Sequence, residues 1–275
     1  MGITTRRPDD TAMADRLIAF SLFGHDSKYR LGMMHNLRVV HRFYAGWKVI
    51  VYCDRLNHDS LIRESLGTHA EIVLQQEESR GLEGAFWRFL AALRPGVQML
   101  LFRDSDSHFT SREVHAVDEW LASPYEAHII RDHPYHFSPV MAGTLGVRGG
   151  ALEVLANIVR ERVAGHRLTE YGDDQLFLST QFYPQFRSKT LVHTNHVRYF
   201  LEHTRPMPPD VPGEMFVGAY AFLTPEEQER FLVARTAERP RTLVPPDWQQ
   251  SRLLGRILRH MRPLQRIRHH SRWLL

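Results

Sequence analysis

Residues 97–102, VQMLLF, constrain the fold more than any other stretch. The run is short, almost wholly apolar and followed at once by a polar cluster, RDSDS. A strand that is apolar on both sides belongs in the middle of a sheet covered on both faces, which is how parallel sheets are built. Three earlier runs read as strands by the same logic: LIAFSLF (17–23), GWKVIVYCD (46–54) and HAEIVLQQ (69–76). Between the first two, YRLGMMHNLRVVHRFY (29–44) places Met33, Leu37, Val40 and Tyr44 at helical spacing. GLEGAFWRFLAALRPG (81–96) reads as a helix stopped by Pro95-Gly96. Beyond the apolar run, helices are predicted over 111–123, 151–163 and 173–183, and strands over 127–132, 143–150 and 189–194. Alternating strands and helices predict an α/β fold, a mostly parallel sheet flanked by helices.

With 275 residues and 43% hydrophobic content, the chain has ample material for one large core. The proline-rich stretch TRPMPPDVPG marks the closing of the compact body, and a domain over 13–236 followed by a tail over 237–275 is expected. The single cysteine, Cys53, excludes an internal disulfide framework and a cysteine-built zinc site, and fits a reducing compartment. The N-terminal MGITTRRPDDTAMADR lacks the apolar core of an export signal, and no run has the roughly 20 apolar residues of a spanning helix. A cytoplasmic protein is expected.

The formal net charge of +4 is unevenly spread. Residues 237–275 carry nine arginines against Glu238 and Asp247, a balance of +7, which leaves −3 on the rest. That is a mildly acidic body with a basic tail, not the basic face of a nucleic-acid binder, so no nucleic-acid partner is expected. Within the tail, Leu253, Leu254, Ile257, Leu258 and Met261 fall on one helical face and Arg252, Arg256 and Arg259 on another. That is the pattern of a helix lying on an anionic membrane surface, and it predicts peripheral attachment at the inner face of the membrane.

Ligands of such sheets bind beyond the C-terminal strand ends. Asp104 and Asp106, at i and i+2 after the apolar run, point the same way and can share one hard divalent cation, Mg²⁺ or Mn²⁺. Held so, the cation would neutralise a diphosphate leaving group as a Lewis acid. An Asp-x-Asp at a strand end also suits a haloacid-dehalogenase-like phosphatase. That chemistry wants a lysine between the pair and a later acidic pair, and none of Lys28, Lys48 and Lys189 lies there. A nucleotide- or glycan-binding protein without turnover is the non-enzymatic alternative.

Several motifs in order resemble bacterial metal-dependent glycosyltransferases of the GT-A (Rossmann-related) fold, with some similarity to glycosyltransferase family 8. These are the Tyr-x-x-Gly and Asn of YRLGMMHN before the YAGW turn, GAFWRFLAAL followed by LLFRDSDS, and HIIRDHPYHFSPVMAGTLGVRGG with YGDDQLFL. The resemblance covers roughly residues 17 to 220 and departs at YAGW, where a proline is usual. It implies transfer of a sugar from a nucleotide-diphosphate donor, such as a UDP-sugar, to a hydroxyl of a glycan or lipid-linked glycan precursor. It implies metal ligation by Asp104 and Asp106 with a late histidine, His193 or its rival His196. Asp54, Arg88, Arg103, Asp104 and Asp132 are the expected donor-binding residues, and MAGTLG (141–146) a close backbone approach to the donor sugar. Asp173 or Asp174 would be the base in an inverting enzyme, and Gln175 would face the sugar in a retaining one.

Overall fold

The computed structural model describes residues 16–66, 68, 70–76, 82–163 and 172–249. The basic segment 251–275 and the first 15 residues lie outside them. Strand β1 (Arg16–Leu22), helix α1 (Ser27–Phe43), β2 (Lys48–Asp54), α2 (Arg55–Glu64) and β3 (Ala70–Gln76) follow in alternation. A 3-10 helix (Leu82–Leu93) leads to β4 (Met99–Phe102), α3 (Ser111–Leu121), β5 (Ala127–Arg131), β6 (Leu145–Arg148) and α4 (Gly149–Val163). Short helices α5 (Asp173–Phe177) and α6 (Tyr183–Phe186) flank a π-helical turn (Leu178–Phe182), and β7 (Thr190–Thr194) and β9 (His203–Arg205) complete the sheet. Its eight strands run in the order β3-β2-β1-β4-β6-β5-β7-β9, parallel throughout except for β6, which is antiparallel to both neighbours. The mostly parallel α/β sheet predicted from the sequence is therefore the fold. The antiparallel β6 and helix α2 were not foreseen.

Strand parity explains the two-sided core. In β1, Ile18, Phe20 and Leu22 face α1 and α3 together with Leu101 and Val117. Leu17 and Ala19 face the 3-10 helix and α4, with Leu100, Phe102, Phe86, Phe89 and Leu155. Chain direction across the sheet reverses at the β1–β4 boundary, because β2 and β3 extend one way from β1 and β4 lies on the other side. Such a switch point leaves a crevice at the strand ends, which is where open α/β sheets take ligands. The apolar run 97–102 ends in that crevice.

Two expectations change. Leu82–Leu93 is a 3-10 helix rather than an α-helix. Its Arg88 backbone N–H is donated to Ser21 Oγ at 2.8 Å, and a Cβ on Gly84 would meet the Phe23 ring, so the segment is moulded onto β1. The body also does not close near residue 204. Helix α7 (Pro225–Ala237) follows, β10 (Arg241–Leu243) pairs with β8 (Val197–Tyr199), and α8 (Pro246–Gln249) comes after it. Residues 216–222 return to the loop after β4, through a Ser107–Tyr220 bridge and an Ala221 N–H donated to Asp106 O at 2.5 Å.

Candidate functional site

The loop carrying Asp104 and Asp106 is fixed from three sides. On α1, a Cβ at Gly32 would come 2.4 Å from Ser105 O and 2.8 Å from the Asp106 Cα, so only glycine lets the helix approach this closely. One turn on, the buried Asn36 Nδ2 donates to Ser107 O at 2.8 Å and Ser105 O at 3.4 Å. These are the Gly and Asn of the Tyr-x-x-Gly…Asn pattern, and their local role is to hold this loop. From the other face of the sheet, the buried Arg88 guanidinium pairs with Asp104 Oδ1 and, at 2.7 Å, with Asp174 Oδ2. Burial by itself lowers the Arg88 pKa, but Asp104 and Asp174 outweigh it and raise it above its ordinary value. From the β6 side, a Cβ at Gly143 would fall 1.8 Å from Asp104 Oδ2, so the backbone of the MAGTLG stretch lies directly on that carboxylate.

The electrostatics of the pair are short of positive charge. Asp106 is buried, and burial followed by the Asp104 charge pushes its carboxyl up to about 7, with Lys28 and Arg88 pulling the other way. Two carboxylates two residues apart, one of them buried, are a hard-oxygen set that suits Mg²⁺ or Mn²⁺. Among the described residues no group of three or more His, Cys, Asp or Glu side chains could hold a metal. The described residues therefore offer two carboxylates here, and a cation there would complete its shell with oxygens from ligand and water. The carboxylates sit near Tyr220, a ring that nothing in the sequence marked as part of the site. Lys28 Nζ lies 4.7 Å from the centroids of both Tyr29 and Tyr220, and the Tyr220 hydroxyl pKa is raised by burial, then by Asp106 and Asp104. Tyr220 is 114 residues from Asp106 in sequence, so no local spacing could have revealed it.

Of the expected site residues, the structure brings together Asp104, Asp106, Arg88 and the start of α5. Asp174 is buried, with one oxygen on Arg88 and the other accepting the Gln175 N–H at 2.8 Å. It holds Arg88 rather than standing ready as a base. Asp173 and Gln175 flank it, both partly exposed.

Four expectations are corrected. His193 is not beside the aspartates. Alternation on β7 puts it, with Leu191, on the α3 face, where its ring lies between His128 Nε2 at 2.8 Å and Glu119 Oε2 at 3.2 Å. Both ring nitrogens are engaged, which leaves none for a metal. Its rival His196 lies 6.5 Å from the His133 ring, among Arg235, Arg112 and Arg241. Arg103 turns away from the loop that follows it and pairs with Glu113 at 2.6 Å in the core. Asp132 is fully buried against Arg112 at 2.6 Å and accepts the Val217 N–H at 3.0 Å, so it ties the chain's later part to β5. Asp54 is buried, caps α2 and accepts the N–H groups of Asn57 at 3.1 Å and Gly24 at 2.8 Å, so both its oxygens are engaged in fixing α2 and the loop after β1.

No protein-family model matches this chain, and no curated protein matches it. Among solved structures, it is similar to a glycosyltransferase involved in glycosylation of the major capsid of PBCV-1, at 15% identity and a TM-score of 0.48 over 80% of this chain and 99% of that one. It is similar to a mannosyltransferase from Pyrobaculum calidifontis, solved with GDP-Man and Mn²⁺, at 14% identity and a TM-score of 0.48 over 82% and 63%. It is also similar to the 4-diphosphocytidyl-2C-methyl-D-erythritol synthase of Anaerococcus prevotii, at 14% identity and a TM-score of 0.46 over 82% and 98%. Likeness at these identities and TM-scores assigns neither an activity nor a ligand to this chain.

Proposed function

We propose that the protein is a metal-dependent glycosyltransferase that moves a sugar from a nucleoside-diphosphate donor, a UDP-sugar first among them, to a hydroxyl of a glycan or lipid-linked glycan precursor. One observation carries the reading. A buried, charge-deficient carboxylate, Asp106, stands beside Asp104 at the sheet's topological switch point, in a loop held by Gly32, Asn36, Arg88 and Gly143. Asp104 and Asp106 would hold Mn²⁺ or Mg²⁺, which when bound supplies Lewis-acid neutralisation of charge on the leaving diphosphate. Arg88 orients Asp104, and Asp174 in turn orients Arg88, so the geometry is set before a ligand arrives. Asp173 or Gln175, at the partly exposed start of α5, faces the acceptor or the sugar, Asp173 taking the acceptor proton where a base is used.

The acceptor's lipid carrier would be met by residues 251–275 on an anionic membrane surface. Among the described residues no helix is long and apolar enough to cross a membrane. The test of the activity is sugar transfer or donor hydrolysis across a panel of nucleotide sugars with and without Mn²⁺. Asp106→Asn should lower metal-dependent turnover by at least about 100-fold, the scale lost with one preorganised electrostatic group. Unchanged turnover in that variant overturns the assignment of the loop.

A further inference from the structure

The charge balance of the loop needs a further cation. Two carboxylates and one divalent ion sum to about zero, whereas a nucleoside diphosphate brings further negative charge into the same crevice. Among the described residues, the two arginines nearest the loop in the fold are already committed to carboxylates. Arg88 is shared between Asp104 and Asp174, and Arg103 is paired with Glu113. Lys28 differs. It is exposed, it lies in the first turn of α1 just after the loop that follows β1, and its charge is felt at Asp106. Its ammonium is held between two rings, Tyr29 from its own helix and Tyr220 from the segment that returns from the far end of the chain. Aromatic faces attract an ammonium without neutralising it, unlike a carboxylate partner. Lys28 is thus aimed beside the Asp pair with its charge still available to an anion.

We infer that Lys28, cradled by Tyr29 and Tyr220, is a binding residue for the diphosphate of the donor, beside the metal carboxylates. The inference rests on the proposed function. Its chemistry makes two effects of opposite sign. Removing a cation next to two carboxylates favours binding of a divalent metal ion alone, because a like charge leaves. The same removal weakens binding of a diphosphate with the metal, because a charge-assisted contact is lost.

The experiment uses the full chain and two readouts: Mn²⁺ binding alone by electron paramagnetic resonance, and UDP or GDP binding in saturating Mn²⁺ by calorimetry. For Lys28→Ala, Mn²⁺ alone should bind at least as tightly as to the wild type. Affinity for the diphosphate should fall by about 10- to 100-fold, the worth of a hydrogen bond to a charged group. Lys28→Arg should stay within about threefold, since it keeps the charge. Tyr220→Phe should bind like the wild type and Tyr220→Leu several-fold more weakly, because the ring face rather than the hydroxyl holds the ammonium. If the wild type binds a diphosphate and Lys28→Ala binds it equally well, the role of Lys28 is overturned while the metal loop stands. If Lys28→Ala loses Mn²⁺ and diphosphate in equal measure, Lys28 acts through the carboxylates and the inference is again overturned. If the wild type binds neither UDP nor GDP, the proposed function itself fails.

Discussion

The most consequential single side chain in the crevice is Arg88. Its two partners differ: the Asp104 side chain is 45% exposed, whereas that of Asp174 is 10% exposed. Most of the stability at stake therefore lies in the Arg88–Asp174 pair, since water screens the other. Arg88→Ala leaves Asp174 buried without a cation and should cost about 3 kcal/mol, read as a fall in the urea midpoint. A midpoint unchanged from wild type would show that Asp174 finds another partner. His193 tests the opposite kind of assignment. Its pKa is lowered by burial, against the pull of Glu119, and it joins α3 to β5 and β7. His193→Gln should lower stability by about 1–2 kcal/mol, the cost of leaving a buried partner such as His128 unpaired. Mn²⁺ dependence of turnover should be unchanged in the same variant, and loss of metal affinity would restore the histidine to the metal shell. The difference between these two residues was half visible in the sequence. Arg88 stood among Phe86, Trp87 and Phe89, so it had to be buried and paired. A histidine at a strand end carries no mark of the face it points to, and the parity that sends His193 to α3 depends on the register of β7 against β5.

Elements position the loop more than any bond within it. Helix α1 approaches so closely that Gly32 has no room for a methyl group, and the atoms it would strike are loop backbone. Gly32→Ala should therefore push α1 and the Asp-x-Asp loop apart, costing about 1–3 kcal/mol of stability and weakening Mn²⁺ binding in the same protein. Normal Mn²⁺ affinity in a destabilised Gly32→Ala would mean that the loop keeps its shape without the helix. The sequence showed these elements clearly where hydrophobic period was strong: β1, α1, β2 and β4 lie within two residues of their expected bounds. It misjudged elements whose geometry is set by neighbours. The 3-10 winding of Leu82–Leu93 follows from its contacts with Ser21 and Phe23, and the π turn at Leu178–Phe182 interrupts what read as one helix. Strand β6 looked like any other strand, because apolar content is silent about direction.

At the scale of the whole molecule, the part least legible in the sequence is the return of residues 207–243 onto the body. Its proline-rich start suggested an ending, whereas it supplies Tyr220 to the crevice and docks through a buried polar cluster. Asp132 is bound by Arg112 and Arg235, and Arg235 also pairs with Asp210. Beside them, the His133 ring packs on Phe216 and Phe231, and the His136 ring on Phe216. Burial, the largest cause in each case, lowers the His133 pKa to about 4 and the His136 pKa to about 3, and lowers that of His196 as well. When the segment lifts away, these rings recover an ordinary value of about 6.5 and take up protons, so opening is favoured as pH falls below about 6.5 and continues to be favoured down to the folded values. Asp132, raised by burial against Arg112 and Arg235, works in the opposite direction, but one carboxyl faces three histidines. Hydrogen exchange, corrected for its intrinsic pH dependence, should therefore show amides 216–235 losing protection by at least about tenfold between pH 6.5 and 5.5, while those of β1 and β4 stay protected. His136→Gln removes one of the titrating rings and should reduce that slope by up to about one proton per opening event. Protection that is flat across this window in the wild type would show that the segment is not held by the neutral histidines. Because the same segment carries Tyr220, the acid opening should weaken diphosphate binding over the same pH range, even though no histidine of the cluster touches the aspartates.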